Sequence, residues 1–305
     1  MTTSTTRTLS APIAGPVAFD LTMAHGLIRV TVGGTDRAEL TLTTPSPADS
    51  PAGKAIAAAS LSADVRVITA HVPTPEAGVT IVNHHGGGQV TITDTGGGVI
   101  IASGGTMHIS GAVIGRGTRI TSLSGGNVAA GVTAELRLPA GSALGVSTKT
   151  GQVTTSGELE WARFTSTSGD LALDACGKLV ASSKSGDIAA DVADVVEART
   201  VSGDIRLGRT DAVKANSISG DVAIADFGGS ATLGTVSGDI TVHATEPGHL
   251  TATSTSGDVT VTAPAALAAA TGPDALTVNA RSVSGDVRTP RPAATTARPR
   301  RPRHR

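Results

Sequence analysis

The sequence has no tyrosine, one tryptophan, three phenylalanines and one cysteine in 305 residues. Aromatic rings normally fill a wide globular core, so their scarcity excludes a conventional large core. It also removes the ring platforms on which sugar-active and RNA-binding proteins stack their ligands. A lone Cys176 makes no intrachain disulfide, which leaves the redox compartment open. The formal net charge of −1 gives no global field toward nucleic acid or membrane. No stretch is long and apolar enough to span a membrane. Met1 to Pro16 has one arginine and no apolar run of seven, so it does not read as a secretory signal and a cytoplasmic location is expected. Gly-x-Ser-x-Gly, His-Glu-x-x-His and Walker sequences are all missing.

What is present is a repeat. Ser-Gly-Asp occurs seven times, at Ser168, Ser185, Ser202, Ser219, Ser237, Ser256 and Ser284. Successive serines are separated by 17, 17, 17, 18, 19 and 28 residues. A near-constant period of this length is the signature of stacked coils. The residue after each Asp is apolar (Leu171, Ile188, Ile205, Val222, Ile240, Val259, Val287), and so is nearly every residue two further on. That period-two alternation predicts a strand with one buried face leaving each turn. A second arm precedes the next serine, with Leu179, Val196, Val213, Ala231, Leu250 and Val278 in register. The predicted fold is therefore all-β: a single-stranded parallel β-helix, or β-solenoid, of about 17–19 residues per coil. Two short strands and two turns are expected in each coil. Scarce aromatics also mark disordered chains, but 39% apolar residues arranged with strand periodicity argue for a folded array. With facing sheets about 10 Å apart, small aliphatic side chains fill the interior and rings mostly do not fit. Trp161 and Phe164 stand at the entry to the repeats and are expected to cap the core.

Within the turn, glycine supplies a backbone conformation closed to other residues, while serine and aspartate hold nearby amides. Coils about 4.8 Å apart would align Asp170, Asp187, Asp204, Asp221, Asp239, Asp258 and Asp286 in a like-charge column. Neighbouring carboxylates there repel by about 0.9 kcal/mol at the dielectric of water. The column is thus exposed, hydrogen-bonded, or neutralised by cations, and it is the candidate cation site; calcium-binding β-rolls resemble it in coil length. Each coil offers only one Asp after one Gly, however, and a hard cation needs six or more oxygens. A second, hydroxylic column (Ser166, Ser183, Thr200, Ser217, Thr235, Ser254, Ser282) forms a [Ser/Thr]-x-Ser ladder with the repeat serines. It resembles the Thr-x-Thr ladders of ice-binding solenoids but lacks their inner methyl groups.

Elsewhere the signals are weaker. Residues 1–15 read as a flexible terminus, 16–133 as an irregular β-solenoid part, 134–289 as the regular repeat part and 290–305 as a disordered basic tail. Gly33-Gly34 marks a hairpin or coil turn, and Pro45 to Ser60 a loop with one helical turn. The glycine-dense Gly78 to Ala130 looks like degenerate coils. His84-His85 with His108 is the only histidine cluster, and adjacent strand residues point to opposite faces, so no metal or other cofactor is predicted. Arg291, Arg298, Arg300, Arg301, Arg303 and Arg305 suit weak, nonspecific contact with anions. Ala263 to Ala275 is an inserted loop on one edge.

Gly26-Leu27-Ile28-Arg29-Val30, the strand end Leu138-Pro139-Ala140-Gly141 and the Ser-Gly-Asp ladder together resemble bacterial β-strand-repeat proteins designated adhesins, without assigned function and common in actinobacteria. The resemblance covers residues 16 to 289. It implies a parallel β-helix-like solenoid, no catalytic residues to carry over, and in some relatives a place at the cell surface tied to adhesion or envelope-stress sensing. The expected function is a non-enzymatic scaffold that binds a protein or polysaccharide. The alternatives are a cation- or ligand-binding solenoid on the Asp column and a polysaccharide-acting β-helix enzyme.

Overall fold

The structure is a computed structural model that describes residues 4–74, 131–272 and 275–290, with the strand backbones at 90–92, 107–109 and 112–114. It is all-β, with one sheet of eighteen strands and a separate sheet of three. In the repeats, each period makes one long strand: β14 (Leu171–Ser182), β15 (Ile188–Arg199), β16 (Ile205–Asn216), β17 (Val222–Gly234) and β18 (Ile240–Ser254). These pair in parallel, each with the next, so that Leu171, Ile188, Ile205, Val222 and Ile240 lie in one file. After β18 the file continues in β19 (Val259–Thr262) and β21 (Val287–Arg288), and the second arm continues in β20 (Leu276–Ser282).

The two expected strands of each period are thus one strand, bent twice. In β14 the buried residues are Leu171, Leu173, Cys176, Leu179 and Ala181. The alternation slips at Asp174-Ala175 and again at Gly177-Lys178, where two successive side chains face outward and the backbone changes direction. Register pairs are interrupted at those places, yet hydrogen bonding resumes on both sides. Several of these bends carry glycine, at Gly177, Gly208, Gly228-Gly229 and Pro247-Gly248, which in sequence reads as a turn.

The interior also holds more rings than expected. Phe19, Phe164 and Phe227 are all fully buried, and each stands alone in its period. Phe164 is followed along its file by Ala181, and Phe227 by Ala244, so a small residue above makes room for the ring. Trp161 is only half-buried, with the Arg163 guanidinium 5.5 Å from its ring centre; Phe164, not Trp161, packs inside. Beneath Phe227 lies Thr210, 1% exposed, whose Oγ1 has no partner. Replacing that hydroxyl by a methyl, Thr210→Val, should raise stability by about 1 kcal/mol. A lower urea midpoint would instead indicate that a water bridges Thr210 to a neighbour.

The amino-terminal half is laced into the same sheet out of sequence order. The strands are β1 (Thr5–Ala14), β2 (Ala18–Met23), β3 (Leu27–Val32), β4 (Arg37–Thr44), β5 (Ser60–Asp64) and β6 (Val67–Val72). After the insertion come β10 (Thr133–Leu138), β11 (Ala143–Ser147), β12 (Gln152–Ser156) and β13 (Glu158–Thr165). On one track β2 lies between β6 and β11, all parallel, and β11 passes the ladder to β13 and so to β14. On the other, β3 lies between β10 and β12, also parallel. Gly33 and Gly34, at φ of +100° and +73°, therefore make a turn but no hairpin: β10 stands between β3 and β4. Residues 1–15, expected as a flexible terminus, contain the ten-residue β1, paired antiparallel with β4.

Beyond β10 the pairing becomes antiparallel, β10 with β4 and β5 with β6. Helix α1 (Pro51–Ala57) closes that end, capped where the Gly53 N–H donates to Ser50 Oγ at 3.0 Å. It buries Ile56, while Arg7 donates to the Ile56 carbonyl at 3.0 Å and to that of Ala57. The glycine-dense segment leaves from β6 and returns at β10. Its described strands, β7 (Val90–Ile92), β8 (Met107–Ile109) and β9 (Ala112–Ile114), form the separate sheet. The degenerate coils expected over Gly78 to Ala130 otherwise fall outside the described residues, as do His84, His85 and the His108 side chain. The same holds for Arg291, Arg298, Arg300, Arg301, Arg303 and Arg305. The loop from Ala263 carries a short helix, α2 (Ala265–Ala269), with no buried residue.

Candidate functional site

The corner that joins one strand to the next is built identically in every period. Its first residue is the hydroxyl of Ser166, Ser183, Thr200, Ser217, Thr235, Ser254 or Ser282, which points inward and is buried in the first six. Each accepts a hydrogen bond from the glycine N–H three residues on, at 2.6–3.1 Å. Four also donate to the glycine carbonyl of the preceding repeat: Ser217 to Gly203 (3.4 Å), Thr235 to Gly220 (3.3 Å), Ser254 to Gly238 (3.1 Å) and Ser282 to Gly257 (2.8 Å). The repeat serines, by contrast, are exposed. The two hydroxyl columns therefore do not form one flat face, because two residues in succession turn outward at the corner.

Ser217→Ala would strand the buried Gly220 N–H, at a cost of about 1–3 kcal/mol. Ser217→Thr should stay within about 0.5 kcal/mol of wild type, since Thr200 and Thr235 hold the same bond in adjacent repeats. Urea midpoints of the two variants check this; equal midpoints would mean that the buried hydroxyl does not matter.

Glycine is required for a reason other than the expected one. None of the repeat glycines has a positive φ. A Cβ at Gly169, Gly186, Gly203, Gly220, Gly238, Gly257 or Gly285 would instead lie 1.8–2.2 Å from the glycine carbonyl oxygen of the preceding repeat. The glycines stack on one another, and close approach of backbones selects them.

The aspartates do form a column, and it is a hydrogen-bond ladder. The N–H of each Asp donates to Oδ1 of the Asp before it, from Asp187 on Asp170 (3.0 Å) through Asp204, Asp221, Asp239 and Asp258 to Asp286 on Asp258 (2.8 Å). The second oxygens face solvent or cationic side chains. Arg206 reaches Asp187 at 3.3 Å and Asp204 at 2.5 Å, and Arg288 reaches Asp286 at 3.3 Å. These arginines are well exposed, so each pair contributes little. Among the described residues no three His, Cys, Asp or Glu side chains gather as a metal site would require. With one oxygen of every carboxylate but that of Asp286 held by an amide, millimolar calcium should leave the melting temperature unchanged. A rise of more than about 2 °C would assign the column to a bound cation.

Between the buried hydroxyl and the repeat serine stands a position that the sequence reading passed over: Thr167, Lys184, Val201, Ile218, Val236, Thr255 and Val283, all exposed. The backbone carbonyl of each, up to Thr255, accepts the serine N–H of the next repeat at 2.8–3.0 Å, which holds the file straight. Nine large hydrophobic side chains are exposed among the described residues, and Val201, Ile218, Val236 and Val283 on this file are four of them. The available signal was apolar residues recurring at one corner position, where alternation alone would not place them inside.

A pocket is lined by Met23, Ala24, His25, Ala55, Val72, Pro73, Thr74 and Val132. Burial, and then the charge of Lys149, hold the His25 imidazole below its ordinary pKa. Its Nδ1 is 2.7 Å from Thr150 Oγ1, and among the described residues no second titratable group lines the pocket. Cys176 is buried and its thiol is pushed up to about 11, by burial and then by Asp194, so it is protonated and unreactive at neutral pH.

The model of one protein family, Toastrack DUF4097, matches residues 23–225 and again 165–301. The chain belongs to the Toastrack DUF4097 family. The two matches overlap, as expected for a toastrack chain whose periods are near copies of one another. No curated protein is similar to it. A solved structure of a "putative lipid binding protein" from Parabacteroides distasonis is 11% identical, with 93% of this chain and 97% of that one covered and a TM-score of 0.51. A "putative adhesin" from Parabacteroides merdae is 9% identical (93% and 95% covered, TM-score 0.47). Another from P. distasonis is 12% identical (94% and 97% covered, TM-score 0.39). At these identities the first likeness shows a shared fold alone. The adhesin-designated repeat family read from the Ser-Gly-Asp ladder is thus the toastrack family. No helix among the described residues is long and apolar enough to cross a membrane.

Proposed function

We propose that this toastrack chain is a non-enzymatic binding scaffold of the adhesin type, wound as a single-stranded parallel β-solenoid of about 17–19 residues per coil. It presents its Ser-Gly-Asp corner to a protein or polysaccharide of the cell envelope, in adhesion or in sensing envelope stress. The parallel pairing of β14 through β18 supports the winding. The observation that carries the function is the outward file through Val201, Ile218 and Val236, three exposed apolar side chains on consecutive repeats. Exposed apolar residues that recur in line mark interaction surfaces, and a rigid ladder presents them with little ordering cost. The designations of the structural neighbours as adhesins or a lipid binder agree with a binding role.

The enzyme alternative has less support among the described residues, where the pocket beside His25 brings up no second titratable group and Cys176 is held protonated. The triple variant Val201→Ser, Ile218→Ser, Val236→Ser should bind intact source cells and isolated envelope polysaccharide at least about tenfold more weakly. Its melting temperature should stay within about 1 °C of wild type, because the side chains are exposed. Undiminished binding to both would end this reading. The two location expectations, cytoplasmic and surface-associated, separate by protease digestion of intact cells.

A further inference from the structure

The two ends of the large sheet are finished differently. At the amino-terminal end the antiparallel return of β4 and β5 and the helix α1 stand over the core, and Leu40, Leu42 and Ile56 are no more than 1% exposed. At the other end the parallel register runs out to the surface, with only the short helix α2 laying the half-buried Leu267 against the core. Leu250 and Ala252 in β18 are 1% and 0% exposed, but Val278 and Ala280, next in the same files, are only half-buried. Val259 is fully buried, while its neighbour Val287 is 43% exposed and Val283 is 81% exposed.

Among the described residues β20 pairs only with β18, and β21 only with β19. One edge of each therefore carries open N–H and C=O groups. Asp286 is in the same position: in every earlier repeat Oδ1 accepts the N–H of the following aspartate, and after Asp286 no described residue supplies one. Such an edge templates pairing with another strand. β20 has no proline and no charge among its inward side chains Leu276, Val278 and Ala280; Arg281, on its outer face, is its one charged residue. The sequence that follows is poorly suited to supply the missing strand. Pro290, Pro292, Pro299 and Pro302 have no N–H to donate, and residues 290–305 contain no Leu, Ile, Val or Phe to extend the files.

We propose that the β20–β21 end is a self-association surface, on which the same end of a second copy of this chain docks about a two-fold axis. The contact joins like ends of two copies, so it is isologous and closes at two chains. In that arrangement β20 pairs antiparallel with β20 of the second copy, and the two sets of aliphatic files become one continuous core. One coil end is small beside the about 1,200 Å² that stable interfaces bury, so the dimer should dissociate in the micromolar range.

Sedimentation of the full chain from about 1 to 200 µM should show a monomer–dimer equilibrium in that range. In the double variant Val283→Glu, Val287→Glu, which puts like charges across the two-fold at exposed positions, dissociation should strengthen at least about tenfold with the melting temperature unchanged. Val201→Glu, on the corner file and remote from this end, should leave the equilibrium as it is. A single monomeric species throughout, or mass growing past the dimer, would overturn the proposal. So would a dimer insensitive to the double variant or equally sensitive to Val201→Glu. A full chain that stays monomeric, while one shortened after Pro290 dimerises, would assign the end to the chain's own basic segment and overturn it too. The outcome is separate from the envelope-binding test, whose variants at Val201, Ile218 and Val236 lie on earlier repeats than Val283 and Val287.

Discussion

Gly220→Ala should lower stability by about 3 kcal/mol or more, at the upper end of what overpacking a single position costs. The added Cβ would lie 1.8 Å from the carbonyl oxygen of Gly203, 2.5 Å from the Gly203 carbonyl carbon and 3.0 Å from Ser217 Oγ. Two of these are backbone atoms of the preceding repeat and cannot swing aside as a side-chain tip does. Relief requires the repeats to part at the corner. Parting stretches the bond from the Ser219 N–H to the Val201 carbonyl (2.8 Å) and that from the Asp221 N–H to Asp204 Oδ1 (2.9 Å), each of which crosses the same gap. The neighbouring Ser219→Ala is the control: its side chain is exposed and has no partner among the described residues, so its cost should be under about 0.5 kcal/mol. Urea unfolding of both proteins measures the difference. A Gly220→Ala protein as stable as Ser219→Ala would refute the close stacking of glycines. Repeats that contact only their neighbours can open piecemeal, so hydrogen exchange in β16 and β17 should accelerate before exchange elsewhere does.

Phe227→Ala should cost about 3–5 kcal/mol, the range for emptying a fully buried aromatic site. The ring is 0% exposed and lies between Thr210 below and Ala244 above. Neither neighbour has the bulk to fill the void. The backbone around it is shaped for the ring: the register of β17 slips between Thr210 and Ala212, and again on either side of Phe227. Gly229, at φ +83°, absorbs the irregularity, with its α-carbon too near the Asp211 carbonyl to bear a side chain. A bulge of this kind is a designed adjustment to a local need; without the ring, its irregularity stays while the packing that offsets it goes. Phe227→Leu keeps most of the volume and should lose less than half as much. A midpoint for Phe227→Ala within about 1 kcal/mol of wild type would mean that the repeats close over the void.

Reading the sequence located the site better than it explained it. The Ser-Gly-Asp positions, the buried hydroxyl column and the aspartate column are all where the period put them. Their chemistry was partly misassigned, because every contact that gives them meaning crosses from one repeat to the next. Gly186 meets Gly169, Asp187 meets Asp170, and Ser217 meets Gly203, across 14 or 17 residues of chain. A tripeptide seen by itself suggests a local turn, and local turns are where glycine usually serves its positive φ. The outward file of Val201, Ile218 and Val236 was passed over for a related reason: apolar residues are counted toward a core unless the corner that turns them out is known.

The chain's own pattern was sufficient for the class and the period. Alternation and recurrence are properties of neighbouring residues, and Leu171-x-Leu173 followed by Ser183 to Asp187 declares a strand and a corner wherever it is placed. Partnership between distant strands was decided only in the folded molecule. β2 and β3 slot between β6 and β11 and between β10 and β12, and β4 reverses against β10, although all these strands read alike as alternating Val, Leu and Thr. Backbone ladders accept any such strand, so the choice falls to which arrangement buries Phe19, Ile28, Leu40 and Ile68 together, and that is a property of the whole core.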